Sequence, residues 1–178
     1  QRIAEVPMPT GCAAWLEDGK LVVAGFDTNN LLEIDVASGA VRELARPSGS
    51  FEGYENVART PDPGWLLVDG WKGLGISDYR VMAFDPVSGD LVDADFIPAD
   101  PTHLNTPIHA VLNTCTVPTI LVSDQLNDVV QAYDLDGNYL EVFAPSGGVN
   151  LAILDNVRGI WSRQGYVFLV TVGAGPND

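Results

Sequence analysis

The chain has 178 residues and a mass of 19.0 kDa, the length of one ordinary domain or of a piece of a larger one. Nine Lys and Arg stand against 24 Asp and Glu, a formal charge of −15, which excludes the basic face that nucleic-acid binding needs and disfavours anionic membrane surfaces. At 46% hydrophobic and 19% charged it is too apolar for a disordered acidic tail, yet no apolar run approaches the roughly 18–20 residues of a membrane helix.

The chain starts at Gln1 with no charged-then-apolar leader, so it reads as processed or excised. An N-terminal Gln that can cyclise suits a secreted, extracellular or periplasmic chain. Helical spacing is nearly absent. Short β-rich runs follow one another instead: Leu21–Ala24, Trp65–Val68, Ile120–Val122 and Val167–Val170. Gly, Pro, Asp and Asn clusters separate them, the pattern of short strands joined by tight turns.

These runs open repeating units. After Val23 come Leu31–Asp35, the turn Ser38-Gly39 and Val41–Leu44. After Val68 come Arg80–Asp85, Ser88-Gly89 and Leu91-Val92, and after Val122 come Val129–Asp134, Asp136-Gly137 and Tyr139–Phe143. Each unit reads strand, turn, strand, loop, strand, hairpin, strand, and glycine supplies the positive φ of the hairpin. A four-stranded repeat of about 50 residues is the signature of a β-propeller blade. Neighbouring blades cover each other, so strands can be apolar on both faces, and Trp65–Val68 does not alternate. The expected fold is therefore all-β, with blades at 10–50, 51–103 and 104–150. An incomplete fourth at 151–178 makes about three and a half blades of a six- or seven-bladed ring. The remaining blades are expected from the rest of a longer chain or from another subunit.

The stretch Ile120–Leu140 resembles an NHL-type repeat: a hydrophobic strand ending in Asp, an Asn-containing loop, a strand ending in an aromatic and Asp, a Gly turn and a final strand. The first unit departs from it, with Gly25-Phe26 where Ser-Asp would stand, and the second has Asp69-Gly70 and an insertion. The pattern is also similar to the six-bladed gluconolactonase- and strictosidine-synthase-like propellers.

In a propeller the innermost strand of each blade lines the channel. Those strands should be Cys12–Leu16, Asn56–Thr60, His109–Asn113 and Val157–Ser162. Two open alike, Glu55-Asn56-Val57 and Asp155-Asn156-Val157, and the third carries His109, with His103 and Asn105 in the preceding loop. If these side chains converge, carboxylates, amide oxygens and an imidazole suit calcium or another divalent cation. The resemblance to lactonase-type propellers implies such a metal on Glu55, Asn56, Asp155 and Asn156. The plainer alternative is that Asp and Asn before a strand satisfy local backbone donors. His109 is the candidate for proton transfer, and no Gly-x-Ser-x-Gly nucleophile elbow exists. The insertion Trp71–Tyr79 reads as a surface loop whose Trp71 and Tyr79 would anchor a ligand. Cys12 and Cys115 read as two small buried thiols rather than a disulfide framework.

The expected function is a non-catalytic, secreted or surface binding and assembly module that takes a protein or small-molecule ligand. The alternative is a metal-dependent hydrolase or lyase of the lactonase-like or NHL-lyase-like type, with its site at the central channel. The NHL resemblance also brings RNA to mind, and the −15 charge opposes it.

Overall fold

The computed structural model describes residues 10–16, 19–25, 28–46, 51–61, 64–72, 79–114, 117–163 and 165–172, with backbone alone at 10–15, 51, 52, 55, 71 and 72. Every regular element in these residues is a strand. The first sheet holds β1 (Thr10–Trp15), β2 (Lys20–Gly25), β3 (Asn30–Asp35) and β4 (Val41–Ala45). The second holds β5 (Phe51–Arg59), β6 (Leu66–Lys72), β7 (Arg80–Phe84) and β8 (Leu91–Ile97). The third holds β9 (Pro107–Asn113), β10 (Thr119–Asp124), β11 (Val129–Tyr133) and β12 (Tyr139–Ala144). A two-stranded sheet, β13 (Val157–Arg163) with β14 (Tyr166–Thr171), follows. Each sheet is an antiparallel meander in chain order, arranged as propeller blades.

Alternation along the strands explains the arrangement. Successive side chains point to opposite faces. In β6, Leu66 and Val68 pack with Val22, Ala24 and Leu31 of the first sheet, while Leu67 packs with Ala110, Ile120 and Val122 of the third. In β10, Ile120 and Val122 face the second sheet while Leu121 faces Val157 and Ile160 of the fourth. Runs such as Leu66–Val68 and Ile120–Val122 are apolar at consecutive positions because both faces are covered. Each fully buried Leu, Ile or Phe contributes about 1.5–3 kcal/mol, so the three inter-sheet layers, not any one sheet, form the core. The first strand of each sheet packs against the first strand of the next, β1 on β5, β5 on β9 and β9 on β13. The last strands β4, β8 and β12 are largely exposed. First strands therefore lie inside and last strands outside.

The repeated aspartates have a local cause. Asp35 Oδ1 accepts from the Ser38 backbone N–H at 2.7 Å, Asp85 Oδ1 from that of Ser88 at 2.8 Å, and Asp134 Oδ1 from that of Asn138 at 2.8 Å. Each closes its hairpin as an Asx turn. These backbone donors hold the Asp35 and Asp85 carboxyls below their usual range. The glycines that follow, Gly39, Gly89 and Gly137, have φ of 74, 78 and 83°. At Gly89 and Gly137 a side chain would also strike backbone of the preceding sheet, the carbonyls of Leu44 and Phe96 respectively.

A second device joins the sheets. Asn29 and Asp128, in the turns after β2 and β10, both sit in the left-handed region, at φ 51 and 53°. Asn29 Oδ1 accepts from the Gly53 N–H at 2.6 Å and Asp128 Oδ1 from the Asn156 N–H at 2.7 Å. In each case a turn residue of one sheet holds the start of the next sheet's inner strand.

The fourth sheet has one bare face. Its inward residues Val157, Ile160, Val167 and Leu169 pack on the third sheet. Its opposite face exposes Trp161 (51%), Phe168 (51%), Val170 (61%) and Tyr166 (70%). In the second and third sheets the corresponding positions are covered by the next sheet.

Candidate functional site

The inner strands β5, β9 and β13 line an open cavity of about 360 Å³. Val57, Ala58, Val111, Leu112, Ile160 and Trp161 give it apolar walls, and Asn56, His109 and Ser162 supply its polar groups. No charged side chain lines it among the described residues. Two hydrogen bonds across the sheets set the spacing of the strands. Asn56 Nδ2 donates to the Ala110 carbonyl at 2.8 Å, joining β5 to β9. Ser162 Oγ donates to Asn113 Oδ1 at 3.4 Å, joining β9 to β13.

His109 sits between these ties. Ser123 lies opposite it on β10, and Ser123 Oγ donates to the His109 carbonyl at 3.3 Å, while the next carbonyl, that of Ala110, accepts from Asn56. These two bonds hold the backbone of the strand that carries the imidazole. The ring is half-buried, and burial pushes its pKa down to about 4, because desolvation disfavours the imidazolium. At neutral pH it is an uncharged imidazole with one donor and one acceptor nitrogen, the form that can take up a proton.

The strand registers correct the equivalence read from the acid–Asn pairs. Asn56 lies inside β5, opposite Asp69 and just before Val57, which faces the first sheet. The residue with that place in β9 is His109, just before Ala110, and in β13 it is Gly159, just before Ile160. Asn156 precedes β13 and matches Gly53, since both give their N–H to the turn residue of the previous sheet. Irregularities between Glu52 and Asn56 and between Val157 and Gly159 hide this three-residue offset. Asn56 and His109 therefore come to one level of the inner wall, and Asp155 and Asn156 do not share it.

A hard divalent cation needs several oxygen donors converging on one point. The Oδ1 atoms of Asn56 and Asn156 are buried without a hydrogen-bond partner. Among the described residues, however, no group of three or more His, Cys, Asp or Glu side chains is placed to hold an ion. The Glu55 side chain lies outside the described residues.

Other expected positions fall elsewhere. His103 is on the outer side, where its Nδ1 meets Asp100 Oδ2 at 2.7 Å and its ring lies 4.1 Å from that of Tyr139. Asn105 gives its backbone N–H to Asp124 Oδ2 at 2.9 Å. Trp71 is not in a loop: it belongs to β6, opposite Glu52. Tyr79 is half-buried just before β7, and residues 73–78 between them lie outside the described residues, as do Cys115 and the Cys12 side chain. The clamping roles of Asn56, Asn113 and Ser162 carried no sequence signal beyond a polar residue within an apolar strand.

No family model and no curated protein matches the chain. Solved structures do. The PQQ-bound aldose sugar dehydrogenase from Streptomyces coelicolor superposes with a TM-score of 0.67 at 17% identity, over 96% of this chain and 58% of that one. Virginiamycin B lyase from Staphylococcus aureus superposes with a TM-score of 0.57 at 12% identity, over 97% of this chain and 59% of that one. The chain thus spans about three-fifths of the length of either. At these identities the likeness shows the fold, a β-propeller. Both matched structures are enzymes, and the expectation of a non-catalytic binding module finds no support in them.

Proposed function

We propose that the chain is part of a β-propeller enzyme, a hydrolase or lyase that acts on a small, neutral, largely apolar molecule at the inner wall beside His109. The observation that carries this is a neutral imidazole on a strand held by its backbone, in a largely apolar cavity whose other polar groups are Asn56 and Ser162. An apolar cavity with a few placed polar groups is the usual form of a small-molecule site. Among the described residues no charged side chain lines it, which suits a neutral substrate. His109 would accept a proton from water, in hydrolysis, or from carbon, in elimination, and return it to the departing oxygen. Negative charge developing on the substrate raises the basicity of the ring as the reaction proceeds. Asn56 acts through β9: its bond to the Ala110 carbonyl fixes the strand that carries the imidazole.

The bare apolar face of the fourth sheet supports a larger ring, since that face is where the next blade sits in the second and third sheets. A six- or seven-bladed ring would also enclose the inner cavity.

The test is turnover of neutral lactones and cyclic depsipeptides, virginiamycin B among them, followed by chromatography and mass spectrometry. General acid–base catalysis is worth about 10²–10⁴-fold, so His109→Gln should lose at least about 10²-fold in kcat while remaining folded. Undiminished turnover by His109→Gln, or a wild-type chain inert toward the whole panel, overturns the proposal.

A further inference from the structure

A second cavity, of about 460 Å³, lies between the second and third sheets on the outer side. Its floor is aromatic. The Tyr139 ring is tilted 33° against His103 at 4.1 Å, and Tyr133 meets Tyr139 edge to face at 5.8 Å. Tyr133 Oη donates to the His103 carbonyl at 2.8 Å, which holds the stack in place. Tyr139 remains 36% exposed, so the floor is open to a ligand.

The rim carries four carboxylates, Asp93, Asp95, Asp100 and Asp136. Arg80 pairs with Asp95, and His103 bonds Asp100. Neither Asp93 nor Asp136 has an ion-pair partner among the described residues. The His103 contact, aided by the Thr102 N–H, holds the Asp100 carboxyl below its usual range, so it is ionised at neutral pH. The rim therefore has an excess of negative charge, in a chain whose net charge already concentrates cations nearby.

The spread of the acids decides which cation. A metal ion requires oxygens converging on one point at about 2.0–2.6 Å, and no described group of acids does so. Carboxylates spaced around a cavity above aromatic rings match a larger, weakly hydrated cation, whose charge is diffuse and whose surface is partly apolar. We propose that this cavity binds a small organic ammonium ion, with the charge held by Asp93 and Asp136 and the carbon shell resting on the ring of Tyr139. The site is independent of the inner wall and of the reading given to His109.

The experiment titrates the full chain with choline, following the His103 and Tyr139 ring signals by NMR, beside 3,3-dimethylbutan-1-ol, which has the same shape without the charge. Choline should give saturable shifts at both rings and the neutral alcohol should not. Losing the charge of either acid in Asp93→Asn or Asp136→Asn, or the ring in Tyr139→Leu, should weaken choline about fivefold or more. The two acids are exposed, and Asn at 93 keeps the oxygen that accepts the Asp95 N–H at 2.8 Å, so the amide variants test charge and not folding. Absence of saturation, equal binding of the neutral alcohol, undiminished affinity in all three variants, or the same shifts produced stoichiometrically by calcium overturns the proposal.

Discussion

Gly137→Ala tests how tightly the blades are joined at their outer ends. Gly137 has φ of 83°, where an L side chain costs roughly 1–2 kcal/mol. A Cβ built there would stand well inside contact distance of the Phe96 carbonyl oxygen and 3.2 Å from its carbon. The obstacle is backbone of β8 in the preceding sheet, not a side chain that can swing aside. Relieving it moves the hairpin or the strand, an overpacking cost of about 1–3 kcal/mol. The total is about 2–5 kcal/mol, a large share of the roughly 5–15 kcal/mol of a typical domain. Gly147→Ala is the control: its φ is 90°, and nothing lies within 4 Å of the built Cβ, so only the backbone term applies. Urea unfolding followed by tryptophan fluorescence should show Gly137→Ala less stable than Gly147→Ala by at least about 1 kcal/mol. Equal midpoints and slopes for the two variants would show that the hairpin is not seated on β8, and the inter-sheet joint would be refuted.

The low pKa of His109 makes stability depend on pH. The unfolded imidazole titrates near 6.5 and the folded one near 4, so between those values the unfolded chain binds more protons. Its contribution is complete above pH 6.5 and is lost as the pH falls toward 4; midpoints measured across that window should fall with acidification, and less steeply in His109→Gln. Asp128→Ala removes the acceptor of the Asn156 N–H, a bond to a charged group worth about 1.5–3 kcal/mol. Amide exchange should then speed at Asn156 and along β13 while β10 stays protected; unchanged protection at Asn156 would show that Asp128 does not hold the fourth sheet.

Much of the architecture is written locally. The Asp-to-Gly hairpins recur because each aspartate oxygen closes its own turn, a bond spanning three or four residues. The unbroken apolar runs at Leu66–Val68 and Ile120–Val122 announce strands covered on both faces. From these, sheets, order and inner strands all follow. The site was less legible. Glu55-Asn56 and Asp155-Asn156 look alike in a line of letters, but a backbone irregularity in each strand shifts their registers, and a shift in register changes which side chains share a level. His103 appeared to belong with His109; six residues apart, they end on opposite sides of the sheet assembly, one in the outer stack and one on the inner wall.

What the sequence determined by itself was the blade: its strands, its turns and the demand that both faces be buried, since these rest on unbroken apolar runs and on turn bonds within a few residues. Only the tertiary structure decided which polar groups meet. Asn56 reaches the Ala110 carbonyl, and Tyr139 lies against His103, across separations of 54 and 36 residues, where no local pattern records the partner. Those meetings are set by how one sheet is seated on the next, and that depends on all the side chains between them at once.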